Sequence, residues 1–225
     1  MEINNLQIVK PRLEEVFGLN NPDLFFHVEI LQRKKEVPST NKNSNIIKSY
    51  AVKSFEYLEN KMKTEIIPIC DNLNARAMIN LNPKSFKRVT LSMLRKLSGY
   101  IEDDFYEGAI IKLFDSCTAS SSIDKSLGIE KLWIVDLDII DFNLGSKVMK
   151  ITSSVSPEKG KTKVRYIVQS KKGTHILTIP FSLVEFEQAK TNKEFEDLKD
   201  LWQYVEIKRD CLTNLYIPQM RNDNI

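Results

Sequence analysis

Lys131-Leu-Trp-Ile-Val-Asp-Leu-Asp138 is an apolar run closed by two acids with one leucine between them. Its β-branched and aromatic content predicts a strand. Side chains alternate along a strand, so Asp136 and Asp138 share one face at its end. Two carboxylates so placed repel each other unless a cation sits between them. Hard divalent ions such as Mg²⁺ or Mn²⁺ favour that oxygen-rich setting. The other reading of the same residues is a strand end with two solvated acids. Asp-x-Asp alone does not choose between them.

The chain around this run has 225 residues, 42% of them hydrophobic, which is enough for one large domain or two small ones. With 28% charged residues, 7 glycines and 8 prolines it is neither low-complexity nor disordered. Cys70, Cys117 and Cys211 are odd in number and dispersed. That argues against a disulfide framework or a zinc knuckle and predicts a reducing, cytoplasmic setting. Met1-Glu-Ile-Asn-Asn5 lacks a positive region followed by an apolar core, so no signal peptide is expected. No apolar run approaches the roughly 18 residues of a membrane helix, so no membrane partner is expected. A net charge of +3 does not demand a polyanion, and any nucleic-acid argument must come from local patches.

Upstream, Leu24–Leu31 reads as a strand, 38–45 as a polar surface loop and Ile46–Val52 as a second strand. Lys53 to about Leu73 is helical in pattern, with Pro68 starting, kinking or ending a segment. Ala75–Asn82 alternates strictly, with Ala75, Ala77, Ile79 and Leu81 on one side and Arg76, Met78, Asn80 and Asn82 on the other. Pro83 is expected to end this strand, and Ser85 to cap a helix running to about Tyr100. Phe86, Val89, Met93 and Leu97 share one face of that helix, and Lys84, Arg88 and Arg95 line the opposite face. The basic face either tracks a nucleic-acid backbone or is simply solvated. A second helix is expected over roughly 103–114, and a serine-rich loop over 116–127.

Downstream, a helix is expected from Asn143 to about Thr152 and a turn region over 153–163. Lys163–Gln169 and Thr174–Ile179 form a hairpin around Ser170-Lys-Lys-Gly173. Helical stretches follow from near Ser182 and over 194–201. Tyr204–Lys208 and Asn214–Ile217 look like a final hairpin. The mixture predicts an α+β fold in a single domain, 1–225, with an N-terminal αβ part (1–128) and a sheet part (129–225).

Ser170-Lys-Lys-Gly-Thr-His175 is the second chemically suggestive segment, and it holds one of only two histidines. A tight turn with free backbone N–H groups, Lys171 and Lys172 makes a phosphate cradle, with Gly173 allowing close backbone approach. His175 beside it can donate to a triphosphate oxygen. The bland alternative is a hairpin tip with solvated lysines. His27, among apolar residues, reads as a packed histidine. Cys117 near Asp115 has no histidine beside it in sequence, so a thiol enzyme carries little weight.

Hydrophobic-Asp-hydrophobic-Asp closing one strand, then Ser-x-x-Gly-x-His opening the next, resembles the archaeo-eukaryotic primase superfamily, most nearly its primase-polymerase branch. Trp133–Asp138 matches the family's Asp-x-Asp motif, and Ser170–His175 its small-x-His motif. Ala75–Pro83 is similar to the strand opening its N-terminal αβ unit. The likeness spans roughly Arg76 to Asp210, and order and spacing carry it. It implies an N-terminal αβ unit plus an RRM-like antiparallel or mixed sheet with flanking helices. It also implies metal-dependent nucleotidyl transfer to a 3′-hydroxyl. Asp136 and Asp138 would hold Mg²⁺ or Mn²⁺ with a third acid, either Glu206 or Asp210. Ser170, Lys171, Lys172, Gly173 and His175 would hold the dNTP or NTP. Arg76, Lys84, Arg88 and Arg95 would meet a single-stranded DNA or RNA template.

No Gly-x-x-x-x-Gly-Lys-Ser/Thr loop is present, so a helicase or other replication protein would act in trans. A compact member of this kind suits a phage, plasmid or other mobile element. Two alternatives stay open: a metal-dependent nuclease, which needs no triphosphate cradle, and a catalytically degenerate nucleotide- or nucleic-acid-binding member.

Overall fold

The computed structural model describes residues 2–33, 44–103, 110, 112–121, 127–210 and 212–219. The fold is α+β, built on two antiparallel sheets. The first combines β1 (Ile3–Asn4), β2 (Leu24–Arg33), β3 (Ser44–Val52), β4 (Arg76–Ser85) and β9 (Leu212–Ile217), in the order β1-β9-β4-β2-β3. The second combines β5 (Trp133–Leu137), β6 (Val164–Gln169), β7 (Thr174–Thr178) and β8 (Val205–Lys208), in the order β6-β7-β5-β8. With α6 (Phe142–Ser154) after β5 and α7 (Leu183–Lys190) after β7, the second sheet has the β-α-β-β-α-β connectivity of an RRM-like module.

Alternation assigns the faces. Val28, Ile30, Ala77 and Ile79 point to one side of the first sheet. There they pack on α1 (Leu6–Phe17) and on a continuous helical stretch of α2 (Phe55–Lys61), a π-helical turn (Met62–Ile66) and α3 (Ile67–Leu73). Pro68 lies in the first turn of α3, just past the π turn, where its missing N–H is tolerated. Val135, Leu137 and Ile176 of the second sheet pack on α6 and α7 through Leu144, Val148, Ile151 and Phe186. The other face of that sheet changes character along β5. Ile134 joins the first core, whereas Asp136, two residues on, is lined by polar groups.

Side chains fasten the sheets to each other. Asn82 on β4 donates to the Leu132 carbonyl (2.8 Å) and accepts from the Leu132 N–H (2.7 Å), as a strand partner would. Asn5 does likewise at the other side, donating to the carbonyls of Gln169 and Asn214, both at 3.0 Å. Arg12, buried in α1, donates to the carbonyls of Leu81 (3.2 Å) and Glu130 (2.5 Å), holding the approach to β5 against β4.

Four expectations are corrected. Pro83 does not end β4, because β2 bulges between Phe25 and His27 and resumes pairing at Phe25↔Lys84 and Leu24↔Ser85. Lys84 is therefore a buried strand residue and not part of a basic helix face. Ser85 does cap α4 (Phe86–Glu102), accepting from the Arg88 N–H at 3.1 Å. The serine-rich stretch is partly helical: α5 (Leu113–Ser120) buries Leu113 and Cys117, one turn apart, against Phe25 and Val89, and its serines face outward. Residues 104–109, 111 and 122–126 of the expected helix and loop, 38–43 of the expected first loop, and Cys211 lie outside the described residues. Lastly, β8 and β9 are not a hairpin. β8 pairs with β5, whereas β9 pairs with β4 and β1, so the chain crosses from one sheet to the other between them.

Replacing Asn82 by alanine leaves two buried groups of Leu132 without partners. Each such group costs about 1–3 kcal/mol, so Asn82→Ala should lower the unfolding free energy by roughly 2–4 kcal/mol in urea denaturation. A loss below about 0.5 kcal/mol would show that the amide does not hold the sheets.

Candidate functional site

A cavity of about 440 Å³ lies between the polar faces of the two sheets. The second sheet contributes Asp136, Asp138, Ser170, Lys171, Lys172, His175, Glu206 and Lys208, and the first contributes Arg33, Arg76, Met78, Leu212 and Asn214. Strand register explains the convergence. Asp136 is directly opposite His175 on β7 and Glu206 on β8, so three strands present their polar side chains in one row. Asp138, just past the end of β5, continues that row and is exposed. The polar side of β4 is neither core nor open surface, since Arg76 and Met78 line the cavity from across the gap.

Asp136 is 6% exposed. Its Oδ2 accepts from Lys208 Nζ at 2.6 Å, and His175 Nε2 approaches Oδ1 at 3.2 Å. That oxygen has no aligned hydrogen-bond donor among the described residues. Burial pushes the Asp136 carboxyl up, but His175 and Lys208 together outweigh it and hold the group at about 2. His175 Nδ1 lies 2.9 Å from the Thr213 hydroxyl on β9, which fixes the ring from the opposite sheet. Lys208 Nζ also reaches Glu206 at 3.1 Å. Burial lowers the Lys208 ammonium, and Asp136 and Glu206 raise it further than burial lowers it.

The turn between β6 and β7 is closed by Ser170. Its N–H donates to the Gly173 carbonyl (3.0 Å), and its hydroxyl accepts from the Gly173 N–H (3.1 Å). A Cβ at Gly173 would stand 1.8 Å from the Leu137 carbonyl oxygen and 2.8 Å from the Ile139 nitrogen. Only glycine lets the lysine-bearing turn press on the backbone that carries Asp138.

The expected site residues therefore separate. Asp136, Asp138, Glu206, Ser170, Lys171, Lys172, His175 and Arg76 line one cavity. Asp210 does not: it accepts from Asn80 at 3.0 Å and Asn82 at 3.3 Å and pairs with Lys84 at 3.4 Å, on β4. Lys84 Nζ also donates to the Ser121 carbonyl at 2.6 Å. Arg88 and Arg95 are exposed on α4 and do not line the cavity. Sequence reasoning missed Lys208, Arg33, Thr213 and Asn214. Lys208 had a usable signal, since it follows Glu206 by two residues in a predicted strand and must share its face.

Among the described residues, no group of three or more His, Cys, Asp or Glu is spaced to hold a metal ion. The donor chemistry nevertheless suits a hard cation, because Asp136 Oδ1 lacks a donor and the Asp138 and Glu206 carboxylates open on the same cavity. No protein-family model, curated protein or solved structure matches the chain.

A second buried cluster lies outside the cavity. His27, 2% exposed, stands between Glu29 and Asp115, with each contact at 3.5 Å. Burial lowers its pKa, against the pull of Asp115. Cys117, on the same helix as Asp115, is fully buried. Burial and the Asp115 charge raise Glu29 to about 7.

Two outcomes follow from these geometries. Gly173→Ala should cost about 3 kcal/mol or more in chemical denaturation, since the new methyl meets backbone rather than a yielding side chain. An alanine variant of wild-type stability would show that the turn stands off β5. Glu29 has a folded pKa above its unfolded value, so its stabilising effect is complete below about pH 4 and is lost as pH rises through about 7. Wild-type stability should fall between about pH 4 and 7 relative to that of Glu29→Gln, and parallel profiles would remove the effect.

Proposed function

We propose that the chain is a metal-dependent nucleotidyltransferase of the primase-polymerase kind, extending a nucleic-acid 3′-hydroxyl with dNTP or NTP. One observation carries the reading. An acidic row (Asp136, Asp138, Glu206) and a cationic turn with a histidine (Ser170, Lys171, Lys172, His175) border the same cavity, although they come from separate strands. Nucleotidyl transfer needs both halves, because the triphosphate must be gripped while charge at the reacting phosphate is neutralised.

Asp136 and Asp138, with Glu206, would hold Mg²⁺ or Mn²⁺, which supplies charge neutralisation and an activated 3′-hydroxyl when bound. Lys171 and Lys172 bind phosphate oxygens, and His175, held between Thr213 and Asp136, orders the acid beside them. Arg76 and Arg33, across the cavity, meet the template or the nucleotide. Glu206 is favoured over Asp210 as the third acid because it lines the cavity with Asp136 and Asp138, whereas Asp210 faces Asn80, Asn82 and Lys84 on β4.

A second reading, nucleotide binding without turnover, is favoured by one observation: the Lys208 ammonium lies between Asp136 and Glu206. Extension assays with Mg²⁺ or Mn²⁺, both nucleotide types and with or without primer separate the two. Incorporation that falls about 100-fold or more in Asp138→Ala supports the transferase. Undiminished activity in that variant overturns the assignment, and calorimetric nucleotide binding without incorporation selects the binding module.

A further inference from the structure

Glu206 and Lys208 are two residues apart on β8, and Asp136 lies directly across from Glu206. All three side chains therefore emerge on one face. Lys208 is register-paired with Ile134, one step deeper, so its chain rises along the sheet toward the acids. Its ammonium ends 2.6 Å from Asp136 Oδ2 and 3.1 Å from Glu206 Oε2, and its side chain is 30% exposed.

The result divides Asp136. One oxygen is engaged by a covalently attached cation, and the other is buried without an aligned donor. Two neighbouring carboxylates in register would repel, and the ammonium removes that repulsion without any bound ion. A divalent cation settling between Asp136 Oδ2 and Glu206 must first expel the ammonium, which then remains close by on its tether. A divalent cation approaching Asp136 Oδ1 and the exposed Asp138 carboxylate meets the His175 imidazole, 3.2 Å from that oxygen, and no tethered ammonium.

We propose that Lys208 is a resident cation of this site, occupying the place between Asp136 and Glu206, so that the cleft takes one divalent metal ion, at Asp136 Oδ1 and Asp138, instead of two. The inference rests on the metal-binding reading above. It makes Lys208 a positioning residue that holds Asp136 and Glu206 in the metal-free chain. In the loaded site it provides the charge that a second ion provides elsewhere.

The test is Mn²⁺ titration of the full chain at fixed pH, without nucleotide, by calorimetry and by the loss of free-Mn²⁺ paramagnetic resonance signal. Wild type should bind one Mn²⁺ per chain. Lys208→Met should bind two, and Lys208→Arg, which keeps the charge, should stay at one. Two ions in wild type, or one in both wild type and Lys208→Met, overturns the inference and leaves the metal-binding reading standing. No Mn²⁺ bound by wild type or by Lys208→Met removes that reading and this inference with it. Circular dichroism checks the fold of each variant. If Lys208→Met fails to fold, Lys208→Gln takes its place with the same expectation, and two ions in wild type remains decisive by itself.

Discussion

The Asn82 side chain pairs with both backbone groups of Leu132, and through that pair one sheet is set against the other. No strand among the described residues is shared between the sheets. Their relation is held by amides and a guanidinium acting as substitute strand partners: Asn82, Asn5 and Arg12. Such groups fix direction as well as distance, because a carboxamide donates and accepts in one plane. The gap they leave is the cavity, and the Thr213–His175 contact spans it at 2.9 Å.

The gap imposes a conflict between burial and charge. On β5, Ile134 belongs to the core and Asp136 to the cavity wall, with only Val135 between them. The aspartate is nearly as enclosed as the isoleucine, yet its carboxyl is held at about 2. Burial alone would drive it the other way, so the ionised form depends on His175 and Lys208 being present together. Glu29 makes the contrast. It is equally enclosed, but its charged neighbour is the acidic Asp115, and it rises to about 7.

Local signals in the sequence carried much of this arrangement, and they failed where partners are distant. Alternation over Ala75–Asn82 separated the core side of β4 from its polar side, and Ser170–Gly173 marked the turn before His175. Both depend only on neighbours along the chain. The β8–β9 hairpin was misread because a short connection between two strand-like runs is ordinarily a hairpin, and nothing local tells that each run has a better partner elsewhere. Lys84 was misplaced because Pro83 ordinarily stops a strand, and the bulge in β2 that accommodates it lies some sixty residues upstream (Phe25/His27). Asp210 and Glu206 could not be separated in sequence, since what divides them is the buried Asn80, Asn82 and Lys84 on β4.

The place of β9 bears on how the chain comes to be folded. It is the last described strand in sequence, yet it sits between β1, the first, and β4. During synthesis β1 therefore has no strand partner until β9 has emerged, and one edge of β4 stays open. Pairings this far apart in sequence close slowly. The second sheet, by contrast, draws on one contiguous stretch and can assemble earlier. Glu206 on β8 emerges only a few residues ahead of Thr213 on β9, so in a nascent chain the acidic row is completed almost together with the contact that steadies His175, and the lysine turn precedes both.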